Sequence, residues 1–112
     1  MVEPGSFDWY REELQRAADE HVFGVATVGR VREYTEDEKE ILGPSAEVPV
    51  KLLEGNSIIV RLTQQGYSVV GNSRLYTTLD HLFRAISPKW NEKREEDLIA
   101  MLDKIVAAND RD

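Results

Sequence analysis

The chain has no cysteine among its 112 residues. That absence removes disulfides, thiolate nucleophiles, iron–sulfur clusters and cysteine-based zinc sites together. Small secreted domains often carry disulfide staples, so the composition points to a reducing, cytoplasmic setting. Histidine is nearly missing too. Only His21 and His81 occur, each beside an acid (Glu20 and Asp80), and neighbours in sequence do not share a helix face. No HxxxH or HExxH spacing exists, so no histidine-based metal site is expected. Apolar stretches such as Val22–Ala26, counting Gly24, are far too short to span a bilayer. The opening Met1-Val2-Glu3-Pro4-Gly5 lacks a basic region followed by an apolar one, so no secretory leader is expected.

What remains is a globular composition for a single domain spanning 1–112, with 41% hydrophobic and 31% charged residues. The net charge of −7 argues against wrapping duplex nucleic acid, which takes many Lys and Arg contacts. It argues equally against an anionic membrane surface.

The patterning predicts an α+β fold: an antiparallel sheet of about four strands in a meander, with an N-terminal helix and two C-terminal helices. Residues 1–5 and 109–112 read as tails. Ser6 can cap a helix over Phe7–Glu20, with Phe7, Tyr10, Leu14, Ala17 and His21 at helical spacing and an i,i+4 pair between Glu12 and Arg16. Residues 22–34 read as a strand whose Gly24 and Gly29 mark a bulge or a close backbone approach. Thr35-Glu36-Asp37-Glu38 has capping-box spacing before a short helix carrying Ile41 and Leu42, closed by Gly43-Pro44. Val48, Val50 and Leu52, then Ile58, Val60 and Leu62, then Tyr67 and Val69 alternate in strand fashion between Gly-bearing turns. Pro49 cannot donate to a ladder, which places its strand at an edge. Thr77-Thr78 opens a helix with Leu79, Leu82, Phe83 and Ile86 on one face. Asn91 is the expected cap of a last helix striped by Leu98, Met101, Leu102, Ile105 and Val106.

Charge is unevenly placed. Both ends of the chain are acidic, whereas residues 57–90 carry Arg61, Arg74, Arg84 and Lys89 against Asp80 alone. The commoner fate of such cations is pairing with carboxylates of the terminal helices; the alternative is a face for a small anion or a single strand, with bases stacked on Tyr67 or Tyr76. The acids Glu36, Asp37, Glu38, Glu95 and Glu96 read first as solvated helix faces and second as a surface for a basic partner. Trp9 and Trp90 fall off the helical stripes, and each is either a plug at the core edge or an interface anchor.

Catalytic patterns are missing. Gly24 to Gly29 lacks the Lys-Ser/Thr of a phosphate loop, and no GxGxxG or GxSxG occurs. Glu95, Glu96, Asp97 and Asp103 lack the spacing of a calcium loop. The expectation is therefore a non-enzymatic protein-binding module without a cofactor: an adaptor, chaperone or inhibitor. Trp9, Glu36, Asp37, Glu38, Arg61, Tyr67, Arg74, Arg84, Lys89, Trp90, Glu95 and Glu96 are its candidate contacts. An acidic end facing a basic middle also suits a homodimer.

The stretch IIVRLTQQGYSVV, followed by a helix, Pro88-Lys89-Trp90-Asn91 and an acidic helix, resembles small phage-encoded inhibitors of Cas9. The resemblance covers roughly residues 57–105. It implies an acidic surface that blocks the DNA-binding site of a CRISPR effector, and it assigns no individual residue.

Overall fold

The computed structural model describes residues 6–32 and 34–109. The expected tails at 1–5 and 110–112 lie outside the described residues, while Asn109 belongs to the last helix. In chain order the elements are α1 (Phe7–Glu20), a 3₁₀ turn (Val22–Gly24), β1 (Val25–Val28), α2 (Glu36–Leu42) and β2 (Ser45–Leu52). They continue with β3 (Ser57–Thr63), β4 (Gly66–Val69), α3 (Leu79–Ile86) and α4 (Pro88–Asn109). The four strands form one antiparallel sheet in the order β1-β2-β3-β4, the expected meander. The fold is α+β.

The first helix forms as its sequence directs. The Ser6 hydroxyl accepts a hydrogen bond from the Trp9 amide at 3.1 Å, filling one of the donors a helix start leaves unpaired. Tyr10, Leu14, Ala17 and Ala18 are buried. Arg16 pairs with Glu13 and Glu20 rather than with the expected Glu12. Those two carboxylates approach the guanidinium from either side along the helix, and Glu13 meets two of its nitrogens.

The strand expected over 22–34 is cut to Val25–Val28. Two close contacts and a register slip shorten it. A Cβ on Gly24 would stand 2.3 Å from Cδ1 of Trp90, so the backbone there is pressed against the indole instead of another strand. The register slips between Val25 and Thr27, at neither of the two glycines. Gly29 lies so close to Pro49 that a Cβ would meet its Cγ at 2.6 Å.

Pro49 also corrects the edge assignment, because β2 lies inside the sheet between β1 and β3. Its carbonyl accepts from the Gly29 amide at 2.9 Å. An antiparallel rung would return a bond from the Pro49 nitrogen, which carries no hydrogen. The proline therefore leaves this rung with a single bond, and the next one, from the Arg32 amide to the Glu47 carbonyl at 2.8 Å, is shifted by one residue.

Alternation divides the sheet into two faces. Ala46, Val48, Val50, Leu52, Val60 and Leu62 are buried with Leu14 of α1 and Leu79, Leu82 and Phe83 of α3. Each fully buried Leu or Phe contributes about 1.5–3 kcal/mol. The opposite face holds Glu47, Pro49, Lys51, Ile59 and Arg61, and Ile59 is 45% exposed.

The last helix begins earlier than expected. The Ser87 hydroxyl, not Asn91, accepts from the Trp90 amide at 3.1 Å, and Pro88 occupies the first turn, where a missing amide hydrogen costs nothing. Asn91 lies inside the helix, where its side-chain amide donates to the Arg84 and Ser87 carbonyls. Trp90 is fully buried, flanked by His21, Phe23 and Phe83 at ring-centroid distances of 5.8 to 6.0 Å.

Overpacking a tight contact costs about 1–3 kcal/mol. Gly24→Ala is expected to destabilise the domain by about that amount, read as a lower urea midpoint at unchanged slope. A midpoint equal to wild type would show that Trp90 is free to shift.

Candidate protein-docking surface

A continuous helix of this length, α4, runs about 33 Å at 1.5 Å per residue. It packs chiefly on the 3₁₀ turn and on α3, through its first turns. Its root holds Trp90 in the core, while residues 95–106 are all exposed. The projection enlarges the molecule: its radius of gyration is 16.8 Å, against about 13 Å for a compact chain of this size.

The exposed part is not polar. Leu98, Met101, Leu102 and Ile105 follow the i, i+3, i+4, i+7 spacing of one helix face, with Ile99 and Val106 beside them. All six are between 46% and 59% exposed. Single exposed apolar residues are ordinary; a contiguous set of six on one helix is not. Glu95, Asp97 and Asp103 flank the stripe.

The root that aims this helix is built from polar groups. Glu54, in the β2–β3 turn, accepts from the Ser87 hydroxyl at 2.7 Å and from the Lys89 amide at 2.9 Å. Its carboxylate thus covers the Lys89 amide in the first turn of α4, where negative charge is favoured. Desolvation pushes the Glu54 carboxyl up, but the hydrogen bonds from Lys89 and Ser87 outweigh it and leave the group below its ordinary value. Arg94 lies over the Trp90 ring at 5.5 Å and reaches Asp80 of α3 at 3.1 Å, tying the next turn down.

The residues singled out in the sequence do not converge on one site. Trp90 is fully buried and Tyr67 is 9% exposed; both are core residues and not surface contacts. Trp9 packs on the core edge, 4.9 Å from the Tyr10 ring. Arg61 donates from Nε and Nη2 to Oε2 of Glu47 at 3.0 and 2.6 Å, and Arg84 pairs with Asp80 at 3.0 Å. The basic island is therefore half neutralised within the fold, at Arg61 and Arg84. Its carboxylates come from β2 and from α3 itself, not from the terminal helices as expected.

Arg74 lies over the Tyr76 ring at 5.7 Å, and Lys89 is exposed at the root of α4. Arg61 sits on the open face of the sheet, whereas Arg84 and Lys89 belong to the helices on the other side, so no common anion site forms. Glu38 closes the capping box with Thr35 and pairs with Arg32, while Glu36 and Asp37 stay exposed on α2. Glu95 and Glu96 are exposed on α4.

Sequence reasoning found the stripe of α4 but not its exposure. The available signal was length: a helix this long has more apolar face than so small a domain can cover.

Among known families, the model described as the GSKIP domain matches residues 10–105. That range covers the sheet, α3, most of α4 and most of the exposed stripe. It also takes in the whole stretch over which the likeness to phage inhibitors was seen, and the family found is a different one. No curated protein and no solved structure matches the chain.

Since the Glu54 pKa is lowered on folding, its contribution to stability is present above the unfolded value and fades as pH falls through the folded one. Glu54→Gln is expected to lower the urea midpoint at neutral pH. The gap from wild type should close as pH drops below about 4. A gap independent of pH would mean that the carboxylate charge plays no part in the cap.

Proposed function

The chain belongs to the GSKIP domain family, and from that premise we propose that it is a small non-enzymatic protein-binding module that docks through the free half of α4. The family takes its name from a GSK3-interacting protein, so GSK3 is the first partner to test. The observation that carries the reading is the exposed stripe Leu98, Met101, Leu102 and Ile105, with Ile99 and Val106 beside it.

An amphipathic helix laid into an apolar groove is a common mode of peptide recognition, read from anchors at this spacing. Here the helix is already formed and rooted. The ordering entropy that a disordered ligand would lose on binding has been met by the fold. The acids beside the stripe favour a groove with a basic rim, which would steer encounter more than it would add affinity.

A small-molecule site has weaker support. The most enclosed hollow, lined by Phe7, Arg32, Tyr34 and Lys39 among others, measures about 80 Å³, well under the roughly 300 Å³ of a usual ligand pocket. The larger ones beside Arg30 and Val31, of about 440 and 450 Å³, are depressions open to solvent.

The test is calorimetric titration of GSK3 with the wild-type chain and with a Leu98→Ala, Leu102→Ala double variant. Buried anchors cost about 1–2 kcal/mol each or more on truncation, so affinity should fall at least tenfold while the urea midpoint stays put. Equal affinities would move the docking surface elsewhere. No heat from the wild-type chain would remove GSK3 as a partner.

A further inference from the structure

A second unpartnered surface lies on the sheet face turned away from the helices. Pro49 pairs in register with Ile59, and the Val70 amide donates to the Ile59 carbonyl at 2.9 Å. The three side chains thus make an apolar row across β2, β3 and the end of β4. Ile59 and Val70 are 45% and 40% exposed, and no helix covers them.

Charge borders the row. On one side Glu47 faces Arg61, with Arg32 reaching the same carboxylate; on the other Lys51 faces Ser57; and Arg30 lies at the end where β1 has stopped. Glu38 reaches Arg32 from α2. Four cations therefore surround the row against two carboxylates. The free half of α4 has the opposite balance, with Glu95, Glu96, Asp97 and Asp103 against Lys104.

We propose that the open sheet face is a docking site for the free half of α4 from a second copy of this chain, so that two copies exchange helices reciprocally. Three features of the molecule favour this occupant. The stripe from Leu98 to Ile105 runs about 10 Å along its helix, which matches the row across three strands at about 10 Å. Both surfaces are apolar along the middle and charged along the borders. Their charges are opposite in sign.

Pairing of two α4 helices with each other is disfavoured, because each would set its acids against those of the other. Exchange in both directions closes the assembly at two copies. The consequence for partner binding rests on the docking role of α4 given above: the same stripe serves both, so the dimer and the partner-bound chain exclude one another.

Sedimentation of the full chain without any partner tests the exchange. The wild type should sediment as two 12.8 kDa chains. A helix-disabled copy (Leu98→Ala, Leu102→Ala) and a sheet-disabled copy (Lys51→Glu, Ile59→Thr, which keeps a β-branched residue) should each be a single chain. Mixed in equal amounts, they should restore a two-chain species, because one intact helix then meets one intact sheet. Circular dichroism and urea melts establish that both variants are folded.

A monomeric wild type at millimolar concentration overturns the proposal. So does a dimer of the sheet-disabled copy alone, which would mean that helices pair with helices. A dimer of the helix-disabled copy alone, a folded mixture that stays monomeric, or open-ended wild-type assemblies would overturn it as well. Calorimetry with GSK3 reads the docking role separately, so either result can fail without the other.

Discussion

Trp90 pressed against Gly24 is the contact on which the architecture turns. It joins the end of the first helical layer to the start of α4, with Phe83 of α3 alongside. A Cβ at residue 24 would occupy the space of the indole, so the glycine is required for approach, not for an unusual backbone angle. The indole Nε1 is buried without a hydrogen-bond partner among the described residues. Such a group costs about 1–3 kcal/mol, which the burial of so large a ring offsets.

With Trp90 fixed, the remainder of α4 follows. Ser87 and Glu54 cap its first turn, and Arg94 links it to Asp80. A helix is stiff, so anchoring its first two turns aims the rest. Since the root alone packs on the domain, the apolar stripe beyond it is held in solvent. The same rigidity that makes the stripe costly to leave uncovered makes it ready to bind, because ordering it requires no further loss of chain entropy.

The charge pattern acquires its meaning from this geometry. In the chain, residues 57–90 form a basic block between acidic ends. In space, Arg61 and Arg84 are answered by Glu47 and Asp80, and the cations that gather on the open sheet face include Arg30, Arg32 and Lys51 from outside that block. Segment charge therefore foretold an uneven surface but misplaced it, because strand pairing sets β2 beside β3 and the 29–32 segment beside β2.

Local chemistry settled much of the fold before any tertiary contact was known. The caps at Ser6, Thr35 and Thr78, the period-2 alternation through β2 and β3, and the Gly-bearing turns each specify their element through hydrogen bonds and side-chain direction within a few residues. Long-range packing decided the rest. The 22–34 segment lost most of its strand to Trp90 and Pro49, two residues distant in sequence. The cap of α4 passed from Asn91 to Ser87 because Glu54, from the β2–β3 turn, completes it. Whether Leu98, Met101, Leu102 and Ile105 are core or surface was equally undecidable from their spacing, since a helix face looks the same in either place. Only the reach of α4 beyond its packed root, a property of the whole molecule, exposed it.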